Sequence, residues 1–200
     1  MNQKEALLAG AKKCLVEKGY GRTTARDIAE ASGAHLGSIG YHYGSKDRLM
    51  NRAAMELSSE WGDLLTALTT EAQGETPRAR LGALLAAISD SLPQTRAVQS
   101  ASLQAFAQAQ FDESLHAEVA AGSANGREEV TALMTGRSGS APEASAGKTE
   151  AEAALGSLAF ALIAGLITQF LIDPDSVPSP AQMRAALDLL AEDAPGSPTE

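Results

Sequence analysis

Apolar positions fall on helical spacing almost from the first residue of this chain. Between Gln3 and Lys18, Leu7, Leu8, Ala11, Cys14 and Leu15 share one face of a helical wheel, and the lysines lie mostly opposite. Gly19 ends this helix in the manner of a C′ glycine. A short helix then runs from Thr23 or Thr24, either of which can cap it, to about Ala31, with Asp27 in the first turn where the helix dipole favours a carboxylate. Ser32-Gly33-Ala34 predicts a tight turn, and about His35 to Tyr43 a second short helix. Ile28, Ala29 and Ile39 face inward in this reading, with Ala29 small enough to let two helices cross closely. Gly44 breaks the second helix, and Ser45 caps a longer one from Lys46 through Leu49, Ala53, Trp61, Leu64 and Leu65.

Beyond Gly74 the pattern predicts five more helices, over about Pro77 to Ser91, Pro93 to Ala109, Glu113 to Thr135, Thr149 to Ile172 and Pro180 to Glu192. Gly136 to Gly147 is rich in glycine, serine and alanine and reads as a mobile loop, and the residues from Asp193 have nothing to anchor them. No stretch alternates with β period. The expectation is an all-α chain of about nine helices, with a three-helix head over residues 1–50 and a helical bundle over 51–200.

Composition narrows the function. Aromatic content is only 4%, which suits packing by small and aliphatic side chains. A single cysteine, Cys14, excludes an internal disulfide framework and reads as a small core hydrophobe. With no signal-peptide pattern at the N-terminus, the expected location is the cytoplasm. Ala153 to Ile172 carries no charge over twenty residues, but Ser157, Thr168 and Gln169 dilute it and no basic flank follows, so a buried helix is expected rather than a membrane span. Three histidines and one cysteine lie far apart, and no HExxH, GxSxG or GxxxxGK[ST] motif occurs; no enzyme activity, metal or cofactor is expected.

The net charge of −9 argues against nucleic acid only until its distribution is considered. Residues 1–50 hold eight Lys and Arg against five Asp and Glu, a net of +3, while the remaining 150 hold eight against twenty, a net of −12. Polyanion binding depends on the local field, so a basic head on an acidic body is compatible with DNA. Thr23 to Tyr43 has the dimensions of a helix-turn-helix, whose second helix enters the major groove while the first braces it across the backbone. His35, Leu36, Ser38, Tyr41 and His42 are the candidates for base edges, and Gly37 lets the backbone approach them. Thr23, Thr24, Tyr41, His42 and Lys46 are the candidates for phosphate oxygens.

The set Thr23-Thr24-Ala25-Arg26-Asp27-Ile28-Ala29, Ser32-Gly33, Gly37, Tyr41-His42-Tyr43 and Ser45-Lys46-Asp47-Arg48-Leu49 resembles the tetracycline-repressor (TetR) family over roughly the first 55 residues. The sequence departs from the family pattern at Gly40, where a tyrosine is usual, so Tyr41 must supply the aromatic contact. The resemblance brings Arg26 into the DNA-binding set. It implies a homodimer whose last two long helices form a four-helix interface, with Leu155, Leu158, Leu162, Leu166, Leu187 and Leu190 as candidate interface residues and Gly156 and Gly165 allowing close crossings. It also implies a repressor that binds palindromic duplex DNA and is released by a small molecule. On α-helical faces between head and interface, Trp61, Leu64, Gln104, Phe106 and Gln108, with Phe111, Met134, Phe160 and Gln169, are the candidates to line a pocket for that molecule. A helical adaptor without DNA affinity, and an activator without an effector, are the alternative readings.

Overall fold

Except for the short helix at Gly37–Tyr43, the α-helices begin where a polar side chain can satisfy their first amides. Helix α1 (Gln3–Lys18) starts at Asn2, whose Oδ1 accepts from the Glu5 amide at 2.9 Å while Glu5 accepts from the Asn2 amide at 3.1 Å. It ends at Gly19, with φ 82°, and a 3-10 turn over Tyr20–Arg22 follows. Thr24, rather than Thr23, caps α2 (Ala25–Ser32), and Gly33 closes that helix in the left-handed region at φ 67°. Helix α3 spans Gly37–Tyr43, shorter at its start than the pattern predicts. The Ser45 hydroxyl accepts from the Arg48 amide at 3.1 Å and starts α4 (Lys46–Glu71).

The break expected at Pro93 does not occur. Residues Pro77–Gln108 form one helix, α5, with Pro93 inside it. Proline removes one amide donor and crowds the preceding turn, but it does not end a helix whose two flanks are held by tertiary packing. After α5 come α6 (Glu113–Thr135), α7 (Glu150–Ile172) and α8 (Pro180–Glu192). Thr149 caps α7 with Glu152 in the same reciprocal arrangement as Thr24 and Asp27. The computed structural model describes residues 2–71, 76–137 and 149–192. Among the described residues there are eight α-helices and no strand, one helix fewer than expected because α5 is continuous. The expected loop over residues 138–147 and the tail from Asp193 lie outside the described residues.

Two compact units interleave along the chain, one comprising residues 1–64 and 93–124, the other 65–92 and 125–200. In the first, Leu7, Ala11, Leu15, Ile28, Ile39, Leu49, Met50 and Ala53 form a continuous core with Val98 and Ala101. Helices α1 and α2 cross at Gly10, where an added Cβ would stand 2.9 Å from Ser32 Cβ and 3.1 Å from the Ile28 carbonyl. This close approach of α1 to α2 at Gly10 is one that the helical pattern did not point to. Cys14 is buried in this core, and burial raises its thiol pKa, as befits an inert packing residue. In the second unit Met134, Ile88 and Leu92 are fully buried. Gly156 packs directly on Thr131 of α6 within the subunit, whereas Gly165 faces open space.

Candidate nucleic-acid interface

The head is a platform built to hold α3 on its surface. Ile39 is the buried residue of α3 and fixes the helix to the core, leaving His35, Leu36, Gly37, Gly40 and Tyr41 exposed. Two hydrogen bonds to α1 set its angle: Tyr43 Oη donates to the Lys4 carbonyl at 2.8 Å, and Ser38 Oγ donates to Gln3 Oε1 at 3.1 Å. The Lys4 ammonium also lies 5.9 Å from the centre of the Tyr43 ring. Sequence reasoning missed Tyr43 and Gln3, because their partners lie about forty residues away.

Helix α2 is anchored at its start. Asp27 accepts from the Thr24 amide and hydroxyl and pairs with Lys18 Nζ at 2.7 Å. The Lys18 bond, then the Thr24 amide and hydroxyl, hold the Asp27 carboxyl well below the usual carboxylate range, and the same contact raises Lys18. Thr23 is buried, its hydroxyl donating to the carbonyls of Gly19 at 2.8 Å and Cys14 at 3.3 Å. The Thr23 side chain thus closes the end of α1, and the helix start expected at Thr23 or Thr24 lies at Thr24. Thr24 stays exposed with its hydroxyl engaged by Asp27.

Lys46 is partly buried and already occupied. Its ammonium donates to the Thr23 carbonyl at 3.3 Å, pairs with Asp47 at 3.1 Å and stacks 5.6 Å from the centre of the Tyr20 ring. By contrast, Arg26 and His35 are exposed, and their side chains make no hydrogen bond or ion pair among the described residues. Tyr41 is 86% exposed and meets only the His42 ring, edge to face at 4.9 Å. The head thus presents one free guanidinium, two imidazoles, a phenol and a bare helix face on a single exposed element pair.

Behind the head, α4 is tied to the end of α5 and the start of α6. Tyr20 Oη donates to Asn51 Oδ1 at 2.8 Å, and Asn51 Nδ2 donates to Gln108 Oε1 at 3.2 Å. Burial, helped by the Asp47 charge, pushes the Tyr20 hydroxyl up to about 12, so it stays a donor. Arg48 pairs with Asp112 at 3.6 Å and Arg52 with Glu118 at 3.8 Å.

The residues expected to line an effector pocket divide between the two units. Trp61, Leu64, Gln104, Phe106, Gln108 and Phe111 belong to the first, and Met134, Phe160 and Gln169 to the second. Gln108 is engaged by Asn51, while Phe111 is 94% exposed. Met134 is fully buried, Phe160 packs on Gly126, and Gln169 donates to the Ser176 carbonyl at 2.8 Å. An open cleft of about 820 Å³ in the first unit, bordered by Lys4, His42, Arg48, Arg52, Asp112 and Glu118, includes none of these nine residues. On the candidate dimer face, Leu158 is 66% exposed and Leu190 77%; Leu162 is also exposed, Leu155 and Leu187 are half-buried, and Leu166 is buried within its own subunit. Helix α7 is long and apolar enough to cross a membrane by length and composition, with a mean hydropathy of 2.1.

Comparison with known proteins bears on this arrangement. Residues 7–53 match the family described as bacterial regulatory proteins, tetR family, and residues 77–194 match the C-terminal region described as a BetI-type transcriptional repressor. The HTH-type transcriptional repressor AcnR of Corynebacterium efficiens is 38% identical over 56 residues, covering 28% of this chain and 30% of that protein. AcnR of Corynebacterium glutamicum is 32% identical over 65 residues, covering 32% and 35%. The match thus spans about a third of the length of these curated relatives. Among solved structures, a transcriptional regulator from Rhodococcus sp. RHA1 superposes with a TM-score of 0.73 at 18% identity, covering 96% of each chain. The multidrug binding protein EbrR, solved with proflavin, superposes at 0.66 with 19% identity, covering 94% of this chain and 99% of that one.

Proposed function

This chain belongs to the TetR family of bacterial regulatory proteins, and from that premise we propose that it is a cytoplasmic, homodimeric transcriptional repressor that binds a palindromic operator through α3. The observation that carries the reading is the construction of the head. Ile39, Tyr43 and Ser38 commit one side of α3 to the platform, leaving the other side bare and flanked by unpaired Arg26 and His35. That side is what a recognition helix offers the major groove. Arg26, His42 and Thr24, with Lys46 beside them, serve the phosphates, and the exposed residues of α3 serve the bases. Thr23 and Ser38 hold the helices in position.

The exposed apolar side chains on α7 and α8, Leu158, Leu162, Leu189 and Leu190, support a second copy as the partner of that face. A twofold axis there supplies two recognition helices for the two half-sites of a palindrome. A small-molecule effector is supported by the fold shared with EbrR, which binds proflavin. Gln108 is the candidate effector residue with a hydrogen-bonded route to the head, through Asn51 to Tyr20. An effector acts only by binding the released conformation more tightly than the bound one.

The test is selection of duplexes from a random pool by the full-length protein, followed by titration at several salt concentrations. A palindromic winner whose affinity falls steeply with salt is expected, because binding releases about 0.9 counterion per phosphate contacted. A chain that enriches no duplex is not a DNA-binding regulator.

A further inference from the structure

From Leu36 to Gly40 the outer face of this segment carries no hydrogen-bonding side chain. Leu36, one residue ahead of the helix, and Gly40 stand four apart and therefore on one side, with Gly37 between them; all three are exposed. The polar groups of the segment lie at its ends, His35 before and Tyr41 and His42 after, and Ser38 is turned to Gln3. Leu36 is 47% exposed, an apolar side chain left in solvent at the centre of a proposed reading surface.

Neither glycine is there for the fold. Among the described residues the positive-φ glycines are Gly19, Gly33, Gly44 and Gly136, and a Cβ on Gly37 or Gly40 would meet no atom within 4 Å. Glycine inside a helix is costly, so two in a seven-residue helix without a conformational or packing cause point to what the helix lies against. Bare positions lower the helix surface, and the Leu36 side chain beside them then stands above it. Among the groups that base pairs display in the major groove, the 5-methyl of thymine is the apolar one; the others are hydrogen-bond donors and acceptors.

We infer that Leu36 is a specificity determinant: the half-site read by α3 holds a thymine whose 5-methyl group packs against the Leu36 side chain. The inference rests on the regulator reading above. Tyr41 and His42 then read or clasp neighbouring positions, and the bases under Gly37 and Gly40 are sensed by close approach of the backbone.

The experiment uses the full-length protein and the duplex that wins selection from a random pool, synthesised with deoxyuridine replacing each thymidine in turn at symmetry-related positions. Dissociation constants at one fixed salt concentration are measured for the wild type and for Leu36→Ala, whose fold is checked by circular dichroism. At one thymine position, loss of the methyl is expected to weaken wild-type binding about fourfold per half-site, the scale of one buried methyl group. Leu36→Ala is expected to bind the thymidine and deoxyuridine duplexes equally at that position. If no thymine is sensitive, or if Leu36→Ala keeps the full penalty at every sensitive one, the assignment of Leu36 is overturned while the regulator reading stands. If no duplex is enriched at all, both fall together.

Discussion

Gly10 and Gly40 are the same residue in two helices of one head, with opposite duties. An alanine at Gly10 would push its methyl against Ser32 and the Ile28 carbonyl, so Gly10→Ala is expected to destabilise the head by about 1–3 kcal/mol, read as a lower urea midpoint. Gly40→Ala meets open space and is expected to keep or raise stability, by about 0.5–1 kcal/mol, while weakening binding to the selected duplex at least tenfold. A Gly40→Ala variant with full affinity would remove that position from the contact. Asp27 gives a pH signature. Its folded-state pKa is depressed, first by the Lys18 bond, so the stability it contributes is complete above the unfolded aspartate value near 4 and drains away as pH falls below it. Asp27→Asn is therefore expected to melt lower than the wild type at pH 7 and to approach it progressively as pH falls below about 4. Melting curves that stay parallel across that range would take the ion pair out of the account.

Among the elements, α4 is the one on which the head depends. It carries Leu49, Met50 and Ala53 into the head core on one face and offers Asn51 to Tyr20 and Gln108 on another. Asn51 is buried, so truncating it leaves two side chains short of a partner away from water. Asn51→Ala is expected to cost about 1–3 kcal/mol in urea denaturation. If the link also carries effector information, the same variant binds duplex but responds less to a releasing small molecule. Lys12, held between Glu56 and Glu60, adds a second tie between α1 and α4; burial alone would lower its pKa, and the two carboxylates raise it instead. Helix α5 shows the reverse relation between residue and element. Pro93 carries a strong local signal to stop, and the helix runs through it.

At the scale of the whole molecule, the proposed reading of a palindrome requires two copies. Among the described residues, Leu158, Leu162, Leu189 and Leu190 leave the apolar face of α7 and α8 exposed. Paired charges there, in Leu158→Glu with Leu162→Glu, are expected to convert a dimer into a monomer in light scattering and to reduce affinity for a palindrome far more than for a single half-site. A wild type that is already monomeric at micromolar concentration would leave that face for another partner. The acidic remainder of the chain also matters at this scale, since a net −12 over residues 51–200 repels DNA and restricts attraction to the head.

What the sequence determined by itself is what neighbours along the chain decide. Helix periodicity, a cap at Thr23 or Thr24, the cap at Ser45, the stops at Gly19, Gly33 and Gly44, and the spaced motif around Gly37 all act within a few residues, and all were legible. Tertiary structure decided the rest, because it depends on groups brought together from far apart. Thr23 turns inward to the Cys14 carbonyl, Ser38 and Tyr43 fasten to α1, and Gly10 lets α1 cross close to α2. Packing on both flanks also carries α5 through Pro93. A polar or small residue looks the same in sequence whether it faces a helix or a groove; only its neighbours in space tell them apart.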